Sequence, residues 1–273
     1  MNTPFSIILK SPGPIALTFG NVNIRWYGIF IALAFLISYL ICEHLVKKGY
    51  LSLNVFTDLI IGTLISSIIS ARLWFVCGNL NYFKSNLEEI PKIWHGGQSI
   101  HGAIFGGILF IYIFSRIKKI NFYSYIDIIS CVMPLAQSIG RWGNFFNNEA
   151  FGKPLKSSIL KLFIPFEDRP TQYFSFEYFH PTFLYEGFLD LVLFIFLYRK
   201  YPVWKNEKGK IFWFYLLSYS IIRYFLEFIR LDRILIFDRF SLAQITSVVI
   251  ILVSIIVLSK KYNWSRNAIK EKK

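Results

Sequence analysis

Apolar residues in this chain come in long unbroken runs, not in the short alternations of strands or the one-sided stripes of water-exposed helices. Seven runs stand out, at about 24–42, 56–77, 97–116, 122–140, 182–199, 211–229 and 242–259, and each predicts a helix. A helix of roughly 20 residues matches the ~30 Å of hydrocarbon in a bilayer. The pattern therefore predicts an all-α polytopic membrane protein with about seven transmembrane helices. Composition agrees. Of the 273 residues 55% are hydrophobic and only 17% charged, against about a quarter charged in a typical soluble domain.

The segments between the runs alternate in charge. Residues 43–55, 115–121, 199–210 and 260–273 hold 16 of the 30 Lys and Arg, with Glu43, Glu207 and Glu271 as their only acids. By the positive-inside rule these segments face the cytoplasm, which places the N-terminus outside and the C-terminus inside. The same basic runs serve as solvated topology determinants, so no nucleic-acid partner is expected. The first apolar run has neither a basic leader nor a small-residue cleavage site, and it is expected to stay as a span. Cys42, Cys77 and Cys131 are scattered and odd in number, which gives neither a disulfide framework nor a metal pattern. No repeat or linker divides the chain. Residues 1–273 are expected to form one integral domain.

The one long connection, 141–181, falls on the outer side. At about 40 residues it exceeds an idle loop, and its aromatics argue for a small folded extracytoplasmic cap. Depth along each predicted helix then locates the polar residues. Arg25 and Tyr27 open the first helix, Arg72 lies in the outer part of the second, and His101 stands early in the third. Gln137, Arg141 and Asn144 end the fourth; His180, Tyr185 and Glu186 begin the fifth; Arg223, Glu227 and Arg230 close the sixth. Asp58 and Asp127 are read as the exceptions near the inner boundary. Polar groups near hydrocarbon are costly and mark function by default, so this convergence predicts one site at the level of the outer leaflet.

Arg223, Glu227 and Arg230 share one helical face, either as a structural ion-pair ladder or as a phosphate clamp in which Glu227 orients an arginine. His101 is a packed histidine or a base of suitable pKa; Gly102 and Gly106 beside it permit close approach of another helix. Tyr27 is an interfacial aromatic or a site residue. The richest stretch is Gly140-Arg141-Trp142-Gly143-Asn144-Phe145-Phe146-Asn147-Asn148-Glu149-Ala150-Phe151-Gly152, where a cation, carboxamides and a carboxylate crowd a helix exit. The four histidines have no metal-ligand spacing, which disfavours a metalloenzyme. A transporter or flippase for an anionic lipid is the main competing class; it would be expected to carry inverted repeats and polar residues through the full membrane depth.

The run at 140–152 resembles the signature of the bacterial prolipoprotein diacylglyceryl transferase family. Arg25-Trp26-Tyr27-Gly28, Ser99-Ile100-His101-Gly102, His180-Pro181-Thr182-Phe183-Leu184-Tyr185-Glu186 and Arg223-Tyr224-Phe225-Leu226-Glu227-Phe228-Ile229-Arg230 resemble further family blocks in the same order. The chain departs at Ala103, where many members have glycine. The resemblance implies transfer of a diacylglyceryl group from phosphatidylglycerol to the lipobox cysteine of a preprolipoprotein, releasing glycerol phosphate, as the first step of lipoprotein maturation in the bacterial inner membrane. It implies no cofactor and no metal. Its partners would be phosphatidylglycerol, the client's signal peptide and membrane lipid.

Essential or lipid-binding roles would then fall on Tyr27, His101, Arg141, Asn144, Glu149, Gly152 and Arg223, with Glu227 and Arg230 in support. The chemistry suits these residues. Thioether formation needs a thiolate, and fixed arginines can hold the departing phosphate without reorganising. In this scheme Arg141 and Arg223 bind phosphate, and Asn144 and Glu149 set the headgroup pose. His101 accepts the thiol proton directly or through water, with Tyr27 or an arginine-linked water as alternatives.

Overall fold

A computed structural model describes residues 6–20, 22–49, 51–155, 158–236 and 240–270; Glu271, counted above among the acids of the last basic segment, lies outside them. Helix dominates, and a long helix forms at each of the seven predicted runs: α1 (Trp26–Lys48), α2 (Leu53–Gly78), α4 (Ile100–Ile117), α5 (Phe122–Phe146), α6 (Thr182–Trp204), α7 (Lys210–Leu226) and α8 (Leu242–Lys270). A short helix, α3 (Leu80–Ser85), follows α2. Among the described residues, α1, α2, α4 and α8 are long and apolar enough to cross a membrane. Their outward faces carry exposed Leu36, Leu40, Ile61, Ile65, Phe105 and Leu252. Apolar surface on that scale suits lipid and not water. The chain is a polytopic membrane protein. The other long helices, α5, α6 and α7, carry the ionic groups described below.

The chain divides into two compact units, residues 1–42 with 127–273 and residues 43–126. In the larger unit, α7 starts at Gly209, whose φ of +85° suits a residue without Cβ. The backbone amides at that helix start, which have no acceptor within the helix, find one on α5. Asp127, buried, accepts from Gly209 N at 2.5 Å and from Phe212 N at 2.8 Å. The aspartate read as an inner-boundary charge thus serves as a helix cap supplied from another helix.

The described residues of 141–181 carry regular structure. β1 (Ile7–Lys10) pairs in parallel with β4 (Leu160–Phe163), which pairs antiparallel with β5 (Tyr178–Phe179). Beneath them Phe151, Leu162, Ile164, Phe179 and Phe183 form a buried cluster, joined by Leu9 and Phe145. The aromatics that argued against disorder are its core. Two antiparallel strand pairs also belong to this unit: β2 (Ile15–Phe19) with β3 (Val22–Arg25), and β6 (Leu235–Ile236) with β7 (Phe240–Ser241).

In the smaller unit α2 and α4 pack closely because glycines remove the side chains between them. A Cβ on Gly102 would stand 2.5 Å from the Ser70 carbonyl oxygen, and one on Gly107 would stand 2.7 Å from Ser67 Oγ. Ser66 Oγ donates to the Gly106 carbonyl at 3.1 Å, a hydrogen bond that this approach allows. Ser99 caps α4 through the amide of Gly102. Arg72 is buried, and its guanidinium donates to the carbonyls of Glu89, Ile90, Gly96 and Gly97. It fastens the segment that leads into α4. Within its unit, therefore, Arg72 acts as a backbone clasp, a role its depth alone did not suggest.

Candidate functional site

The signature stretch forms the last turns of α5 and the loop after it. Arg141, Asn144 and Glu149 are linked in series. The Arg141 Nη1 donates to Asn144 Oδ1 at 3.3 Å, and Asn144 Nδ2 donates to Glu149 Oε1 at 2.8 Å. Asn147 Nδ2 adds a second donor to the same oxygen at 3.3 Å. The loop holds a demanding backbone: Asn148 and Ala150 have φ of +52° and +56°. The left-handed region costs a residue with Cβ about 1–2 kcal/mol. Two contacts secure it. Thr182 Oγ1 donates to the Ala150 carbonyl at 2.6 Å, and Asn148 Nδ2 donates to Asp168 Oδ2 at 2.8 Å.

Gly152, expected to bind lipid, sits where three segments meet. A Cβ there would come within 2.9 Å of Thr182, His180 and Ile229 side chains, and its amide donates to the His180 carbonyl at 2.9 Å. Lys153 N donates to the Ile229 carbonyl, which stitches the signature loop to the stretch after α7. The geometry makes Gly152 a packing joint. Gly143 does the same between helices: a Cβ there would lie 2.5 Å from Tyr27 Cδ2, so the Tyr27 ring rests against α5 between Arg141 and Asn144 in sequence. Tyr27 remains 40% exposed.

The centre of the site is a residue that sequence reasoning singled out but gave no role. Glu186, on α6, has no exposed surface. Its Oε1 accepts from Arg141 Nη2 and from the Tyr219 hydroxyl, the latter at 3.3 Å, while its Oε2 accepts from Arg230 Nη1 at 3.0 Å. Arg230 in turn grips Asp232 with two donors, Nε to Oδ1 at 2.9 Å and Nη2 to Oδ2 at 2.5 Å. Burial pushes the Asp232 carboxyl up, but the Arg230 guanidinium outweighs it and holds the group below the usual carboxylate range. The sequence signal for Glu186 was its place in the His180–Glu186 block. Asp232, Tyr219 and Ser241 gave none.

Arg223 and Glu227 meet on the end of α7, Nη2 to Oε2 at 2.8 Å, close in distance but not aligned as a hydrogen bond. The other Glu227 oxygen accepts from Ser241 Oγ, so β7 fixes this carboxylate. Arg223 Nη1 is buried with no hydrogen-bond partner among the described residues. Tyr219 lies within electrostatic range of Glu186, Arg141, Asp190 and Arg223, which brings both arginines to one neighbourhood. Their side chains are each 21% exposed, whereas that of Arg230 is 7% exposed. Arg141 and Arg223 can therefore meet a ligand; Arg230 is a strut.

Asp190, one turn from Glu186 on α6, is fully buried, with neither carboxylate oxygen bonded among the described residues. α6 thus buries an acid well inside the helix, on the face that also buries Glu186, Leu193 and Leu197. His101 belongs to the smaller unit. It is the second residue of α4, exposed, two positions past the Ser99 cap. His180, beside the Gly152 joint, contacts the Tyr185 hydroxyl at 3.4 Å, and burial pulls its imidazole below the usual histidine value. Among the described residues no cluster of His, Cys, Asp and Glu could hold a metal ion.

The chemical character is clear. Three arginines stand against three carboxylates, with a buried donor left over on Arg223, in a shell of carboxamide and tyrosine. Such a set suits an anion held by charge-assisted hydrogen bonds.

Comparison with known proteins points the same way. A protein-family model described as prolipoprotein diacylglyceryl transferase matches residues 14–260. The phosphatidylglycerol--prolipoprotein diacylglyceryl transferase of Nostoc sp. is 40% identical over 252 residues, covering 90% of this chain and 88% of that protein. The enzyme of that name from Acaryochloris marina is 39% identical over 263 residues, 95% of this chain and 94% of its own length. Its counterpart from Staphylococcus epidermidis is 39% identical over 254 residues, covering 92% and 90%. Matched along nearly its whole length, this chain belongs to the prolipoprotein diacylglyceryl transferase family.

Proposed function

We propose that this chain transfers the diacylglyceryl group of phosphatidylglycerol to the lipobox cysteine of preprolipoproteins. The cysteine sulfur bonds to the glyceryl carbon, the carbon–oxygen bond to phosphate breaks, and glycerol phosphate leaves. The thiol proton passes to a base. The observation that carries this reading is the arginine set around Glu186. Arg141 is oriented by a fully buried carboxylate yet partly open, and Arg223 has a buried donor to spare. Those are the properties needed to hold a phosphodiester that becomes a monoester as charge builds on it.

In this scheme Arg223 is the principal phosphate ligand and Arg141 the second. Asn144 and Glu149, already bonded to each other, orient the glycerol headgroup. Glu227 and Arg230 keep their neighbours in place, and Gly152 holds the loop. His101 is the base by its chemistry and by its place in the family block, with Tyr27 as the alternative. The whole chain acts as one integral transferase of the bacterial inner membrane with seven spans, its N-terminus outside and its site toward the outer leaflet. Residues 141–181 form the extracytoplasmic cap. The signal helix of the client brings its cysteine to that level.

The test is direct. Purified protein in phosphatidylglycerol vesicles, given a lipobox peptide, should add the mass of a diacylglyceryl group to the peptide. A peptide with Cys→Ser should stay unmodified. Phospholipid crossing the bilayer while the cysteine peptide stays unmodified would favour the transporter class and end this proposal.

A further inference from the structure

The hairpin β2–β3 presents an apolar face that no part of the described protein covers. Ile15, Leu17, Phe19, Val22 and Ile24 are between 37% and 65% exposed. Its register sets Leu17 opposite Ile24 and Phe19 opposite Val22, with Thr18 opposite Asn23 between them. Side chains alternate faces along a strand, so the four apolar residues share one face and the polar pair the other. On that polar face the Thr18 hydroxyl donates to Asn23 Oδ1 at 3.0 Å. A two-stranded hairpin with a bare apolar face is marginal in water.

Its position says what covers it. β3 ends at Arg25 and α1, a helix able to cross the membrane, begins at Trp26 with no residue between. The hairpin is therefore held at the surface where α1 enters the bilayer. A cation and two aromatics, Arg25, Trp26 and Tyr27, mark that level, as such residues do at membrane interfaces.

We propose that β2–β3 is a membrane-interface anchor. Leu17, Phe19, Val22 and Ile24 lie among the upper acyl chains, Thr18 and Asn23 face water, and Arg25 meets phospholipid phosphate. The partner is the lipid surface, and the proposal does not depend on the reaction.

Site-directed fluorescence tests it on the full chain in phospholipid vesicles. With the exposed Cys77 changed to Ser, and Cys42 and Cys131 left buried, single cysteines replace Leu17, Phe19, Thr18 or Asn23 and carry a polarity-sensitive dye. An unchanged thermal midpoint certifies each labelled protein. Dyes at 17 and 19 should emit further to the blue than those at 18 and 23. They should also be quenched several-fold more strongly by lipids brominated in the upper acyl chain. Equal access of all four dyes to aqueous iodide would overturn the anchor. So would protection at 17 and 19 that appears only with lipobox peptide, or only as protein density rises, since the partner would then be a peptide or a second copy.

Discussion

Two guanidiniums, Arg141 from α5 and Arg230 from beyond α7, end on the two oxygens of one buried carboxylate, Glu186. Removing that carboxylate leaves both cations without their shared partner, and breaking a buried pair costs about 3–5 kcal/mol. Glu186→Ala should therefore lower the thermal midpoint in detergent sharply and abolish transfer, while Glu186→Gln, which keeps the shape, should fall between. An alanine variant as stable as the wild type would show that the carboxylate is not the hub.

Arg141→Ala should behave differently. It leaves Glu186 bonded to Arg230 and Tyr219, so the protein should stay folded. Transfer should fall roughly a few hundred-fold through the loss of a charged phosphate contact. Asp232 adds a pH signature. Its carboxyl is depressed by Arg230, so the pair's stabilisation is present at neutral pH and fades as pH falls through and below about 4, where the unfolded carboxyl titrates. Asp232→Asn should flatten the acid limb of the thermal midpoint.

Arg141 and Arg223 stood out in sequence because each sits in a dense motif. The role of Glu186 was not, since its two arginine partners lie 45 and 44 residues away along the chain and only folding brings them together.

At the scale of elements, helices are joined by small devices whose failure is measurable. Asp127 caps α7 from α5 with two backbone hydrogen bonds. Asp127→Ala should destabilise the protein by about 1–2 kcal/mol, the usual cost of a lost cap. Calorimetry of the reconstituted protein reads it, and no change would mean the α7 amides find other acceptors. The glycine joints were partly visible in advance. Gly102 and Gly106 stand four apart, and that spacing alone implied a close helix contact, which α2 supplies. Gly143 and Gly152 were visible only as members of the 140–152 run, because sequence shows what a glycine permits but not which side chain occupies the space. Only the structure puts Tyr27 against one and Thr182 against the other. The strands β1 and β4 were missed for a related reason: they pair Ile7 with Leu160, far apart along the sequence.

Over the whole molecule, the helices were the most legible feature, because a run of apolar residues as long as a bilayer is thick has few other meanings. The basic bias of alternate connections makes a topological claim that labelling can check. In intact spheroplasts, an impermeant thiol reagent should reach a cysteine at Asn81→Cys and miss one at Lys270→Cys; the reverse pattern would put the site on the cytoplasmic side.

The reaction itself is tested most directly by its stoichiometry. Purified protein in phosphatidylglycerol vesicles with a lipobox peptide should release one glycerol phosphate for each thioether formed, because a single displacement makes both. Glycerol phosphate released without thioether would mean that water, not the client's sulfur, takes the diacylglyceryl group, and would contradict a site built for transfer.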